Sequence, residues 1–399
     1  MNVKKISCIF LVMLFSQQVL KAQTDSKDKA YEFKMIKEIQ TTPVKDQYRS
    51  STCWSFATIS FLETEMIRTG KPEIDLSEAW VVRNAYSDKA VKYVRLQGNL
   101  NFAGGGASHD VTNCIKRYGM VPEEVYQGLN YGTEKFVHGE LDAVLKGYVE
   151  SVIKNPNKEL TPAWHNGFNG ILDAYFGEIP NTFNYKGKEY TPTTFAKDYL
   201  GINPDDYIEI TSYSHHPYYS QFVFELPDNW DFGLIYNVKL DELVEIIDYA
   251  IGNGYSVIYG GDVSEKGFSW KNGIAIMPDI NVEETSGSDK EHWTTMSKDE
   301  KEKVLYSFEK PVKEMEITPE MRQKGFDNYR TSDDHSMHII GIAEDQNGNK
   351  FYKLKNSWDT DNIYNGYLYM SEAFLKYKIN NIMVSKNAVP KEIAKKLKL

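Results

Sequence analysis

The chain has 399 residues, 41% of them hydrophobic, with a formal net charge of −10. That length and apolar content suffice for one large domain or two modest ones. The acidic balance argues against nucleic acid as a partner, because phosphate backbones are bound by clustered cations.

At the N-terminus, Lys4 and Lys5 precede an apolar run from Ile6 to Phe15, and a more polar stretch leads to Ala22 and Gln23. This is the layout of a secretory signal peptide over residues 1–22, and it predicts export to a periplasmic or extracellular compartment. The run is shorter than the ~18 apolar residues a bilayer-spanning helix needs, so no stable membrane insertion is expected after signal removal. Loss of Lys4, Lys5 and Lys21 leaves the mature chain more acidic still, and loss of Cys8 leaves two cysteines, Cys53 and Cys114. In an oxidising compartment the ordinary fate of two cysteines is a disulfide. Cys114, however, shares one helical face with Val111, Ile115 and Tyr118, which predicts a small, inert core residue.

The stretch from Gln47 to Phe56 reads Q-Y-R-S-S-T-C-W-S-F. Ser50, Ser51 and Thr52 are cap-type residues, and the apolar run that follows them is closed by Gly70 and Pro72. A helix over about Cys53–Thr69 is expected, with the Cys53 sulfur in its first turn, where backbone N–H groups and the helix dipole favour thiolate. A second helix opens at Leu76-Ser77-Glu78 with Ser77 as cap and Arg83 on its polar edge. Phe102 to Ala107 contains Gly104, Gly105 and Gly106, three glycines in a row that suit neither helix nor strand. The loop is either a flexible connector or backbone that must lie close to a bound chain, which would make the three glycines substrate-binding.

From about Leu141 to Trp230, helical segments alternate with aromatic and Asn/Pro/Gly-rich stretches, which predicts an inserted subdomain over about 141–230. Tyr213, Tyr218 and Tyr219 in it suit loop packing, or a contact surface between subunits. Asp241–Gly252 has helical periodicity, Tyr255–Tyr259 is a short strand ending at Gly260-Gly261-Asp262, and the charged span from Glu283 to Lys303 is expected to be solvated. His335 to Ala343 and Lys350 to Trp358 are β-prone and flank Asn347-Gly348, which predicts a hairpin.

A nucleophilic thiol needs a base beside it, and the base needs a third group to hold its ring. His138, His165, His215, His216 and His292 lie in loops or charged segments, and His109 abuts the glycine loop as a minor candidate. No histidine has metal-ligand spacing to a partner cysteine, so neither a metal nor a cofactor is expected. His335 and His338 enter the strand whose return carries Asn356-Ser357-Trp358. Three apart on a strand, they face opposite sides, so only one can reach the thiol. A strict two-residue turn at Asn347-Gly348 would leave His335 and Asn356 about four residues out of register, which calls for a bulge or wider loop.

Gln47, Cys53-Trp54, His335 and Asn356-Ser357-Trp358 together resemble the catalytic signature of the papain-like cysteine peptidases. The resemblance implies that Cys53 is the nucleophile and that Gln47 donates to the oxyanion hole with the Cys53 N–H. It makes His335, six residues before Gly341, the base, with Asn356 orienting it and Trp358 shielding their hydrogen bond. It also implies an α+β, two-lobed fold, a helical lobe plus an antiparallel β lobe, over residues 23–399. Against the pattern C-G-[SA]-C-[WY], this chain has Ser50-Ser51-Thr52-Cys53-Trp54, so the first cysteine and its disulfide are lost and serine replaces glycine. The long separation of Cys53 from His335 requires a large insertion between the lobes.

Leu76-Ser77-Glu78, the glycine loop leading to Asp110, Tyr118 to Pro122, Gly261-Asp262-Val263, the Thr318-to-Tyr329 segment and Val389-Pro390 are similar to the bleomycin hydrolase and bacterial aminopeptidase C branch. That branch implies peptide substrates, N-terminal trimming limited by a C-terminal arm in the cleft, and a homo-oligomer, a hexamer. Only Lys391 to Leu399 follow Pro390 here, and a cleft without an arm would admit internal peptide segments. The expected activity is that of a cysteine aminopeptidase on short peptides. An endopeptidase with an open cleft and an inactive peptide-binding protein are the alternatives.

Overall fold

Helix α1 (Cys53–Arg68) is buried at every position from Trp54 to Met66, because it lies between a layer of helices and a β-sheet and has no face left for water. The computed structural model describes residues 31–279 and 296–399, so the expected signal segment, Cys8, His292 and most of the charged stretch after Glu283 lie outside the described residues. Helix α2 (Glu78–Arg95) starts where the cap predicts, with the Trp80 N–H donating to Ser77 Oγ at 3.0 Å. Arg83 is not on a polar edge. It is buried, and its Nη2 donates to Asp173 Oδ1 at 2.7 Å, because a later helix covers that face of α2. Helix α3 (Ser108–Tyr118) carries buried Cys114 and stops at Gly119, φ 76°, where a Cβ would stand 2.2 Å from the Pro192 carbonyl carbon.

The 141–230 stretch is shared between the lobes. Helices α4 (Gly139–Ile153) and α5 (Ala163–Phe176), which is the one that covers Arg83, bury Leu141, Leu145, Phe168 and Leu172 in the same core as α1 and α2. The hairpin β2 (Phe183–Tyr185) and β3 (Lys188–Tyr190) closes over Phe195, which is also in that core. From β4 (Tyr207–Thr211) onward the chain joins the sheet. Tyr213 is packed internally, its hydroxyl donating to Asn380 Oδ1 at 3.0 Å and its ring under the Arg322 guanidinium.

The remaining strands are β1 (Lys34–Glu38), β5 (Gln221–Val223), β6 (Leu234–Asn237), β7 (Val257–Gly261), β8 (Phe268–Ser269), β9 (Ile274–Ala275), β10 (His335–Glu344), β11 (Lys350–Lys355), β12 (Tyr367–Ser371) and β13 (Ile379–Ser385). They run in the order β5-β6-β4-β13-β7-β10-β11-β12-β9-β8, with β1 also on β10, and are antiparallel except at β4/β6 and β9/β12. The architecture is the expected α+β, two-lobed, papain-like one. A second core gathers sheet residues with helix α6 (Leu240–Gly252). Helices α7 (Lys298–Leu305), α8 (Pro319–Asp327) and α9 (Glu372–Lys378) flank the sheet. The last, α10 (Lys391–Leu397), buries Ile393 and Leu397 in this second core, and Lys396 Nζ sits 2.6 Å from Glu242 Oε1 of α6. Residues 391–397 are therefore committed to the β lobe, and none of them lines the cleft described below.

Two buried imidazoles resist taking up a second proton. His138 is enclosed by Tyr131, Phe136 and Phe176, and its pKa is pushed down to about 4 by burial. His338 is fully buried and is pushed down by burial and by Lys355. A folded-state pKa below the unfolded value of about 6.5 means that the unfolded chain binds more protons between those values. The contribution of these two histidines is therefore complete above about pH 6.5 and falls as pH drops towards 4, by up to ~3 kcal/mol for His138 alone. Urea unfolding at stepped pH should show this loss, and His138→Phe, which fits the aromatic cage, should make the slope shallower.

Candidate active site

The base is placed by the register of one hairpin. β10 and β11 pair Glu344 with Lys350 and keep step to Gly341–Lys353, then a bulge at Ile340 shifts the pairing to Ile339–Leu354. This supplies part of the offset that a strict turn would have left, and the rest comes from β11 ending at Lys355, after which the Asn356 N–H donates to Gly366 O at 3.1 Å. The side chain of Asn356 thereby reaches His335, whose Nε2–H donates to Asn356 Oδ1 at 2.7 Å. Ser357 N–H donates to the same oxygen at 2.8 Å, so the amide cannot turn over without losing both. The Trp358 ring covers the imidazole, centroid to centroid 4.4 Å. Because Nε2 carries the hydrogen, Nδ1 is left with a free lone pair. His338 faces away, its Nδ1 3.0 Å from Ser60 Oγ of α1.

Cys53 is the first residue of α1, is half-buried and is a free thiol, as is Cys114. It lines the same groove as His335 and Ser336, and the backbone N–H groups of Ser336 and Trp54 favour its charged form, so the nucleophile of one lobe lies near the base strand of the other. Both residues line one open groove of about 1130 Å³ with Gln47, Trp54, Gly104 to Gly106 and Trp358. The helix start does not lower the thiol as the sequence leads one to expect. Burial pushes it up to about 12, aided by the charges of Asp333 and Asp228 and opposed by the two N–H groups. Burial likewise pushes His335 down to about 4, against its bond to Asn356 and the charge of Asp334. Burial thus opposes the charged form of each group, and transfer of the thiol proton to Nδ1 would leave the two charges facing each other as a pair.

Gln47 is buried and fixed at both ends. Its backbone N–H donates to Ser357 O at 2.9 Å, and its side-chain Oε1 accepts the Ser357 hydroxyl at 2.7 Å. With Oε1 engaged, the Nε2 amide is the end presented to the groove, where with the Cys53 N–H it is suited to receive a developing oxyanion. Ser357 is thus a positioning residue that sequence reasoning passed over, although it stands in the Asn-Ser-Trp motif.

The glycine loop forms the wall beside Trp54 and is no free connector. Trp54 Nε1 donates to Gly104 O at 2.9 Å, and Lys89 Nζ donates to Ala103 O and Gly105 O at 2.7 and 2.6 Å. None of the three glycines has positive φ, and close approach is what requires them. A Cβ on Gly105 would stand 1.9 Å from Asp228 Oδ2, and one on Gly106 2.8 Å from the Trp54 ring. His109 faces Glu209, with Nδ1 and Oε1 3.2 Å apart, and not the thiol.

Among the described residues, one trio brings metal-type donors within 4.8 Å of one another, namely His215, His216 and Glu225. These are His–carboxylate contacts of 3.2 and 2.7 Å on the exposed stretch around β5, and none of the three lines the groove.

The Ser357 contact has a measurable consequence. Ser357→Ala should lower kcat by about three- to tenfold, the worth of one hydrogen bond that fixes Gln47. The same change made in a Gln47→Ala background should add almost nothing, and steady-state kinetics of the four-variant cycle checks this coupling.

Comparison with known proteins places this geometry. The family described as papain family cysteine protease matches residues 28–161, and the Peptidase C1-like family matches 180–303 and 301–399. Aminopeptidase G of Lactobacillus delbrueckii subsp. lactis is 22% identical over 395 residues, covering 89% of this chain and 83% of its own. Cysteine proteinase 1, mitochondrial, of Saccharomyces cerevisiae is 21% identical, with 91% and 79% covered. The crystal structure of PepW from Lactobacillus rhamnosis shares the fold with a TM-score of 0.67 at 20% identity, covering 92% of this chain and 84% of that one. With one family match covering more than half of its length and a papain-type match over its N-terminal part, the chain belongs to the Peptidase C1-like family.

Proposed function

We propose that this chain is a cysteine aminopeptidase that removes N-terminal residues from short peptides. The observation that carries the reading is one groove lined by Cys53, Gln47 and His335, with Asn356 holding His335 Nε2 at 2.7 Å. Relatives named aminopeptidase G, aminopeptidase C and aminopeptidase E match along most of the chain and support the exopeptidase assignment.

The chemistry follows from the arrangement. Cys53 Sγ attacks the carbonyl carbon of the scissile bond as its proton moves to His335 Nδ1, and the imidazolium is stabilised by Asn356 Oδ1. The carbonyl oxygen becomes an oxyanion held by Gln47 Nε2–H and the Cys53 N–H. His335 returns the proton to the leaving amine, giving a thioester on Cys53 and a shortened peptide with a new N-terminus. A water that loses its proton to His335 then hydrolyses the thioester and releases the N-terminal amino acid. Burial pushes both thiol and imidazole towards neutrality, and the N–H donors and the oxyanion hole oppose that push as charge develops.

The N-terminal segment supports export to a periplasmic or extracellular compartment as part of this reading, with Lys4 and Lys5 before Ile6–Phe15 and Ala22 as the cleavage region. N-terminal sequencing of protein recovered from the producing cell's envelope or medium should begin near Gln23, and protein retaining Met1 in the cytoplasm would oppose export.

The enzymatic reading is tested on a defined peptide with purified full chain. Stepwise release of N-terminal residues is expected, lost in Cys53→Ala and reduced roughly 10²–10³-fold in Gln47→Ala. Turnover unchanged in Gln47→Ala would remove that residue from the oxyanion site.

A further inference from the structure

We propose that Asp333 and Asp228 bind the α-ammonium group of the substrate's first residue and thereby confine this active site to free N-termini. The inference rests on the aminopeptidase reading above and deepens it. A narrow side pocket opens off the groove between Gly106 and Ser336, and Asp228, Asp333, Glu209 and His109 are its charged lining. Asp228 and Asp333 line both the pocket and the groove, so they stand at the junction beside the nucleophile. Their charges already act on the Cys53 thiol.

His109 in the pocket and Lys89 behind the glycine loop each have partners. His109, pushed up to about 9 chiefly by Glu209 and Asp110 against its burial, sits on Glu209. Lys89 spends its donors on the Ala103 and Gly105 carbonyls. Asp228 accepts one hydrogen bond, from Asn101 Nδ2 at 3.0 Å. Asp333 has no hydrogen bond or ion pair within the described residues. Burial, with Asp228, Asp334 and Glu209 as its charged neighbours, pushes it up to about 8. Asp228 is within reach of the Lys89 charge, whereas Asp333 has only carboxyl groups as charged neighbours, and a buried ammonium in turn needs carboxylates.

Covalent geometry brings the two together. The α-nitrogen lies two bonds, about 2.5 Å, from the carbonyl carbon that Cys53 attacks, so the ammonium of the residue being released must arrive in the wall next to the sulfur. An internal peptide would place an uncharged amide there and leave both acids without a partner. The ammonium also offsets the charges that oppose thiolate formation at Cys53. Recognition of a free N-terminus should therefore raise kcat as well as lower KM.

The test uses two substrates that share one leaving group, an aminoacyl amide with a free amine and its N-acetyl form, with the full-length wild type, Asp333→Asn and Asp228→Asn. Wild type should favour the free amine by at least 10²-fold in kcat/KM. Asp333→Asn should cut that ratio by about 10- to 100-fold, part of it in kcat, the cost of losing one charged hydrogen bond. Asp228→Asn, on a separate loop, should move the ratio the same way and keeps the test standing if the first variant misfolds. A wild-type preference that both variants retain would overturn the inference and leave the aminopeptidase reading intact. Equally fast turnover of an acetylated dipeptide amide with lysine first would also overturn it, assigning the pocket to a cationic side chain. Failure of wild type to cleave either substrate would overturn the reading and the inference together.

Discussion

Everything in this protein that bears on chemistry depends on the seam between α1 and β10. The nucleophile begins the helix and the base begins the strand, so their relative position is set by how those two elements pack. The seam is polar as well as apolar. Lys355 Nζ donates to Ser60 Oγ at 2.8 Å and to Thr42 Oγ1 at 3.0 Å, and the Ser60 hydroxyl in turn faces His338 Nδ1. Thr42 Oγ1 donates to Glu63 Oε2 at 2.6 Å, and Lys45 Nζ lies 2.7 Å from Glu78 Oε1. Buried groups of this kind are costly unless each finds its partner, so they admit one alignment of helix on strand and penalise a slip. Neutral His338 is part of that alignment, while His335 three residues earlier is left for the groove.

The same burial that fixes the alignment opposes charge on the reactive pair, pushing the thiol up and the imidazole down. Catalytic competence then lies in groups aimed at the charges as they form: the Ser336 and Trp54 N–H groups for sulfur, Asn356 for the imidazolium and Gln47 for the oxyanion. Asp228 and Asp333 work against the thiolate until a cation arrives. The groove thus couples its chemistry to what occupies it, and the clamped glycine loop holds one wall still while that happens.

Much of the site was legible in the sequence. Cys53 beside Trp54, Gln47 six residues earlier, and Asn356-Ser357-Trp358 form short local patterns with a physical reason for each residue, and Ser77 capping α2 is a local rule that held. Strand alternation said that only one of His335 and His338 could face the thiol, and the family resemblance, through Gly341, selected His335. What local pattern could not show was burial imposed from a distance. Arg83 looked like an edge residue because the covering helix α5 follows some eighty positions later, and the thiol looked activated because a helix start is visible in sequence whereas the depth of the groove is not. The 141–230 stretch looked like an insertion because β4, which ties it to the sheet, finds its long-range partner in β13, near the end of the chain. Asp228 had no local signal at all, and Asp333 stood in plain sight two residues before His335 without the pocket that gives it meaning.

The central claim is that the Cys53 proton is delivered to His335 across the seam. Alkylation of the two thiols by iodoacetamide near neutral pH, followed by mass spectrometry of each peptide, tests it most directly. Cys53 should label much faster than Cys114, and His335→Ala should slow Cys53 at least tenfold while leaving Cys114 unchanged. Equal, slow labelling of both thiols in the wild type, or a Cys53 rate indifferent to His335, would contradict it.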